Sequence, residues 1–317
     1  MKKILFFILL VICSCQNDNE SKDYLKKIDT DSYPGSVSLI HKGIKREYYV
    51  YLPSSYNKDS IIPVMFNFHG GSGNIADAIE YSDMRSLADI NGFILLYPQA
   101  IGDQTDSSKP SPVWTYKTIA ATAAVDNIGF IEVIIDSLAA EYNIDQERIY
   151  ACGYSNGGEF SQELAVRLSS RIASIASVSS SMQVETFNQT EQKPMHPFAV
   201  LTINGTEDNY YQYNGTLPYF ESIAQLNNYW INHNQCNTTP LVVQLANTNT
   251  TDGSTVERHT WSNVTGEVYV EHLKIIGGGH DFPGSFGNMD INSNNEIWNF
   301  VSQYDINGIR RLVKLIE

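Results

Sequence analysis

Cysteine is scarce in this chain: four in 317 residues, two of them, Cys13 and Cys15, inside the first fifteen positions. The remaining pair, Cys152 and Cys236, cannot staple a chain of this length, which excludes a disulfide scaffold. Cys152 ends a strand-like run and is expected to be a buried, unreactive thiol. Positive charge is also in deficit, with 21 Lys and Arg against 35 Asp and Glu and a net charge of −14. Nucleic acid is therefore not an expected partner, because a binder must neutralise phosphates with clustered Lys and Arg. No His-x-x-x-His or His-x-His pair occurs, so no metal site is expected, and no cofactor motif stands out. Internal repeats and low-complexity blocks are lacking as well.

Long apolar runs are short of membrane-spanning length. Ile4 to Ile12 is apolar throughout, too short to cross a bilayer as a helix but right for the core of an export signal. It follows the basic start Met1-Lys2-Lys3 and precedes "ICSC", in which small Ser14 stands before Cys15. This resembles a bacterial lipobox, with Cys15 as the lipidated residue. The chain accordingly divides into a signal at 1–14, a polar tether at 15–33 and one folded domain at 34–317. Export is expected, with a lipid anchor to a membrane, on the periplasmic or the surface side of an outer membrane.

What is present in the domain is alternation. Two strand-like runs, "SVSLIH" and "REYYVYL", flank Lys42-Gly43-Ile44 and read as an antiparallel hairpin. Short apolar runs then alternate with helical patterns. "IPVMFNF", "GFILLYP", "ERIYACGY", "IASIASVSS", "FAVLTING" and "EVYVEHLKII" read as strands. "ADAIEYSDMRSLAD", "VDNIGFIEVIIDSLAAEY", "EFSQELAVRL", "YFESIAQLNNYWINH" and "INSNNEIWNFVSQY" read as helices. That order predicts an α/β fold, a mostly parallel central sheet with helices on both faces.

Within it, "IYACGYSNGGEF" at 149–160 sets Ser155 between Gly153 and Gly157 at a strand–turn–helix junction. That is the required context of a nucleophile elbow. A serine nucleophile needs a base and an orienting carboxylate, here in the chain order Ser, acid, His. Of the four histidines beyond "FAVLTING", His233 lies in a helical run and His259 and His272 in strand-like ones. His280 alone stands on a loop, "GGGHDFPG", and is the expected base. His272 is expected on the sheet surface. For the acid, Asp208 in "NGTEDN" is preferred over Glu207 and Asp252, since the third residue beyond Gly205 would turn back toward the catalytic loop. Oxyanion donors are expected from the Asn156 amide and from Gly71 in "HGGSGN", with His69 holding that loop.

On these residues the chain resembles the secreted α/β-hydrolase esterase family that groups polyhydroxybutyrate depolymerases with feruloyl and acetylxylan esterases. The likeness runs from about Tyr33 to Tyr304 and includes "REYYVYLP", "PVWTY", "VDNIGFIEVIID", "NGTEDNYYQYNG", "YWINHNQC", "GGGHDFPG" and "DINSNNEIWNF". The family's triad falls on Ser155, Asp208 and His280. The resemblance implies a serine carboxylesterase acting on feruloyl or acetyl esters of polysaccharide, or alternatively on polyhydroxybutyrate oligomers. A serine peptidase and a non-catalytic surface binding protein are the competing readings. The resemblance also sets Trp114 beside the active site, as a stacking wall for a phenolic or sugar ring or else as a core residue beneath a loop. Asn156, Asn209-Tyr210 and Phe282 depart from the family's usual residues around the pocket.

Overall fold

The computed structural model describes residues 33–101, 112–114, 125–188, 194 and 196–310. Cys15, the signal and the tether lie outside the described residues, except Tyr33. Among the described residues no helix is long and apolar enough to cross a membrane.

The hairpin forms as its pattern predicts. Strands β1 (Ser36–His41) and β2 (Ile44–Tyr51) pair antiparallel, joined by Lys42 and Gly43, both at positive φ. The strands that follow are β3 (Ile62–Phe68), β4 (Ile94–Pro98), β5 (Ile144–Tyr154), β6 (Ser174–Val178) and β7 (Ala199–Gly205). The last of the large sheet are β8 (Leu241–Gln244), β9 (Thr255–Ser262) and β10 (Val268–Ile276). They make one ten-stranded sheet in the order β1-β2-β4-β3-β5-β6-β7-β10-β9-β8. The run from β4 through β3, β5, β6 and β7 to β10 is parallel, and both ends are antiparallel. β3, β4, β6 and β7 are buried along their whole length, as strands covered on both faces must be. β8 carries no such signature, being exposed throughout, and was not expected.

The helices are α1 (Ile75–Tyr81), α2 (Arg85–Asn91), α3 (Asn127–Glu141), α4 (Asn156–Arg167), α5 (Val184–Phe187), α6 (Ile223–His233) and α7 (Ser293–Val301). The helix expected at 76–89 is thus two. The break falls at Ser82, whose buried hydroxyl accepts from Asn67 Nδ2 (2.7 Å) and donates to Asn294 (2.7 Å), while its carbonyl accepts from the Tyr97 hydroxyl (2.6 Å). Tertiary hydrogen bonds claim the groups that a continuous helix would have used. Cys152 and Cys236 are both buried free thiols. Because the central strands run parallel, β3, β5, β7 and β10 all end at one edge of the sheet. The loops that leave that edge build the site.

Candidate active site

The elbow is built by crowding. At Gly153 an added Cβ would stand 2.3 Å from the Gly157 carbonyl carbon, and at Gly157 it would stand 2.3 Å from the Phe68 carbonyl oxygen. The end of β5, the start of α4 and the end of β3 therefore touch backbone to backbone, which only glycine allows. Between them Ser155 holds φ +55° and ψ −123°, a costly conformation for a residue with a side chain. Its N–H is anchored on the Val178 carbonyl at 2.8 Å, and its carbonyl opens α4 by accepting from the Glu159 N–H at 3.0 Å.

His280 leaves the loop after β10 and reaches this serine. Its Nε2 lies 2.9 Å from Ser155 Oγ and its Nδ1 2.8 Å from Asp208 Oδ2. The carboxylate accepts at Nδ1, so the proton belongs on that nitrogen and Nε2 is left to accept from the serine. Asp208 is buried, and its other oxygen accepts the Tyr210 and Tyr211 amides at 2.7 and 2.9 Å. Glu207 is exposed and contributes only its backbone, its N–H donating to the Gly278 carbonyl at 2.8 Å. Asp252 caps Ser254 and the Met289 amide and has no part here. The acid and histidine loops are joined further by Thr206, whose N–H donates to Ile275 and whose hydroxyl accepts the Gly277 N–H, both at 2.9 Å. Tyr154, which the sequence reading passed over, ties the elbow to the histidine loop: its hydroxyl donates to the His280 carbonyl at 2.8 Å.

Gly71 lies against Asn156, within 3.5 Å of its Cβ at the position of an added methyl. Among the described residues the Gly71 and Asn156 amides meet no hydrogen-bond acceptor. His69 holds the loop as expected. It is fully buried, its Nδ1–H donates to the Gly70 carbonyl (2.7 Å) and its Nε2 accepts the Ala100 N–H (3.0 Å). Burial pulls its pKa down to about 4, so the ring is neutral at ordinary pH.

Three expectations change, and for Trp114 the core residue beneath a loop is the reading that holds. Trp114 is only 1% exposed and offers no face to a substrate. Its indole stacks on Phe160 (5.0 Å between centroids), and its N–H donates to the His69 carbonyl at 2.9 Å. A large apolar ring with one donor is better satisfied beneath the oxyanion loop than in a wet cleft. His272 is not on an open sheet surface either. It is buried under the acid loop, with Nδ1 on Thr202 Oγ1 (2.9 Å) and Nε2 on the Tyr213 hydroxyl (2.8 Å), and burial lowers its pKa to about 3. Phe282 is buried between Tyr81 and Tyr154 instead of lining a pocket. Tyr210 is the aromatic that does stand free, 73% exposed with its ring 4.8 Å from the His280 ring.

A mostly parallel sheet, covered by helices, with a hydrogen-bonded serine, histidine and aspartate at the carboxyl ends of its strands is the α/β-hydrolase fold. Comparison with known proteins narrows this. The family model described as Esterase PHB depolymerase matches residues 46–191. A bifunctional acetylxylan esterase/xylanase of Neocallimastix patriciarum is 27% identical over 84% of this chain, and a feruloyl esterase B of Piromyces equi is 27% identical over 82%. The chain spans 34% and 46% of the lengths of these two relatives. Among solved structures, the acetyl xylan esterase from Aspergillus awamori superposes with a TM-score of 0.57 over 81% of this chain and 94% of its own, at 13% identity, a likeness of fold. The chain thus has the α/β-hydrolase fold, and its sequence is similar to the esterase family described by that model and to the acetylxylan and feruloyl esterases just named.

Proposed function

We propose that this protein is a serine carboxylesterase. The observation that carries the reading is the unbroken chain from Ser155 Oγ through His280 to buried Asp208, set at a strained elbow. In the reaction, His280 Nε2 takes the serine proton as Oγ attacks the ester carbonyl, and Asp208 stabilises the imidazolium. The oxyanion that forms lies at the start of α4, where the Asn156 and Gly71 amides donate to it in a favourable helix field. His280 then protonates the leaving alcohol, and water drawn by the same imidazole releases the acyl group.

Feruloyl or acetyl groups on polysaccharide are the proposed substrates. The acetylxylan and feruloyl esterase names of the two relatives and the exposed Tyr210 ring at His280, a surface on which a sugar or phenolic ring can stack, support this. A hydroxybutyrate oligomer is the second reading, supported by the family match. Export and lipidation at Cys15 belong to the same proposal and rest on the first fifteen residues. A mass shift of the mature N-terminal peptide, lost in Cys15→Ala, is the expected sign.

The decisive assay sets methyl ferulate, an acetylated xylo-oligosaccharide and a hydroxybutyrate oligomer side by side, with Ser155→Ala as the blank. Turnover falling on the order of 10⁴-fold or more in that variant is expected. Undiminished activity in a clean Ser155→Ala preparation would remove the mechanism. Turnover of the hydroxybutyrate oligomer alone would move the substrate class.

A further inference from the structure

Glu159 lies in the first turn of α4, four residues after Ser155, and is almost wholly buried at 4% exposure. Its Oε2 accepts from Asn156 Nδ2 at 3.1 Å and from the Tyr211 hydroxyl at 2.7 Å, and its Oε1 accepts from Gln183 Nε2. Each donor belongs to a different wall of the site. Asn156 carries the oxyanion amide, and its own Oδ1 accepts the Trp114 backbone N–H at 2.7 Å, beside the loop that holds Gly71. Tyr211 gives its N–H to Asp208. Gln183 follows β6 and opens α5.

We propose that Glu159 is a positioning residue for acyl transfer, holding the nucleophile, the oxyanion loop and the acid-bearing loop in one hydrogen-bonded frame. The inference rests on the esterase reading above. A carboxylate suits the position because two oxygens can accept all three donors, whereas an amide of the same size would set its NH₂ against one of them. The N-terminus of α4 also favours negative charge there.

Glu159 touches no reacting atom; it acts through Tyr211 and Asn156.

The test uses the full-length protein, wild type and with Glu159→Gln, Tyr211→Phe and both. It reads kcat and KM on p-nitrophenyl acetate, the rate at which a fluorophosphonate labels Ser155, and the melting temperature. Glu159→Gln is expected to lower kcat and the labelling rate together by about 10- to 100-fold, with KM within about twofold. In the Tyr211→Phe background the same substitution should cost several-fold less, since the bond from the Tyr211 hydroxyl to Glu159 is already gone. A folded Glu159→Gln protein with wild-type kcat and labelling rate would overturn the inference and leave the esterase reading standing. Losses that are additive and follow the melting temperature would overturn it too, by making Glu159 merely structural. A wild-type protein that neither turns over the ester nor takes the label would instead remove the esterase reading, and the inference with it.

Discussion

The elbow and the two loops that face it are held by different physics. At the elbow the constraint is steric: β5, α4 and β3 meet at distances that forbid any Cβ on Gly153 or Gly157, and Ser155 has no other place to go. The acid and histidine loops are held by polar bonds instead. Tyr154 holds the His280 carbonyl, Thr206 bridges to Gly277, the Tyr210 and Tyr211 amides hold Asp208, and Tyr213 rests on His272. The steric site rests on backbone contact and the polar one on side-chain bonds, and both draw partners from distant parts of the chain. It follows that the elbow should break abruptly under added volume, and the loops gradually, under lost bonds or changed pH.

The largest expected effect tests the polar side. Asp208→Asn leaves the shape but offers His280 a group that can no longer hold the required tautomer, and kcat should fall on the order of 10³- to 10⁴-fold with little change in melting temperature. A loss below tenfold would mean that another group orients the imidazole. Next comes the steric side. Gly157→Ala drives a methyl into the Phe68 carbonyl and should cost about 3 kcal/mol or more of unfolding free energy, read by urea titration. Tolerance of alanine there would remove the claim that backbone contact builds the elbow.

Acid should loosen the packing on both sides, since His69 stands beside the elbow and His272 lies under the acid loop. Burial keeps His69 and His272 neutral, with pKa values of about 4 and about 3. A free histidine takes its proton near 6.5, so below that the unfolded chain binds protons that the folded one refuses. The stability the two contribute is complete above about pH 6.5 and lost as pH falls, roughly 2–3 kcal/mol each by pH 4.5. Glu271 works the other way. Burial raises its carboxyl to about 7, so the folded chain holds a proton there, and its share is complete at low pH and lost on rising through 7. A net fall of roughly 2–3 kcal/mol between pH 7 and 4.5 remains, and Glu271→Gln should steepen it. Denaturant midpoints that do not move across this window would contradict the sign. The smallest effect belongs to Trp114→Phe. Losing one buried hydrogen bond to His69 should cost about 1–2 kcal/mol while KM stays put. A raised KM with unchanged stability would return Trp114 to the substrate.

The sequence by itself determined the elements whose causes are local. Gly153, Ser155 and Gly157 at a strand–helix junction declare the elbow, Lys42-Gly43 declares the hairpin turn, and runs such as "IPVMFNF" declare strands covered on both faces. His280 was legible because it alone of the later histidines stood on a glycine-rich loop. The tertiary structure decided the rest. Ser82 breaks a helix whose own pattern is continuous, since its carbonyl is claimed by Tyr97 and Asn67, residues outside that helix. Trp114 is buried against Phe68 and Phe160, and His272 is covered by Tyr213, and no spacing in the sequence records either contact. Glu159 left a partial trace, three residues from Asn156 on the same helix face. Its other partners, Tyr211 and Gln183, are set by how α4 meets two loops, and that contact exists only once the sheet has formed.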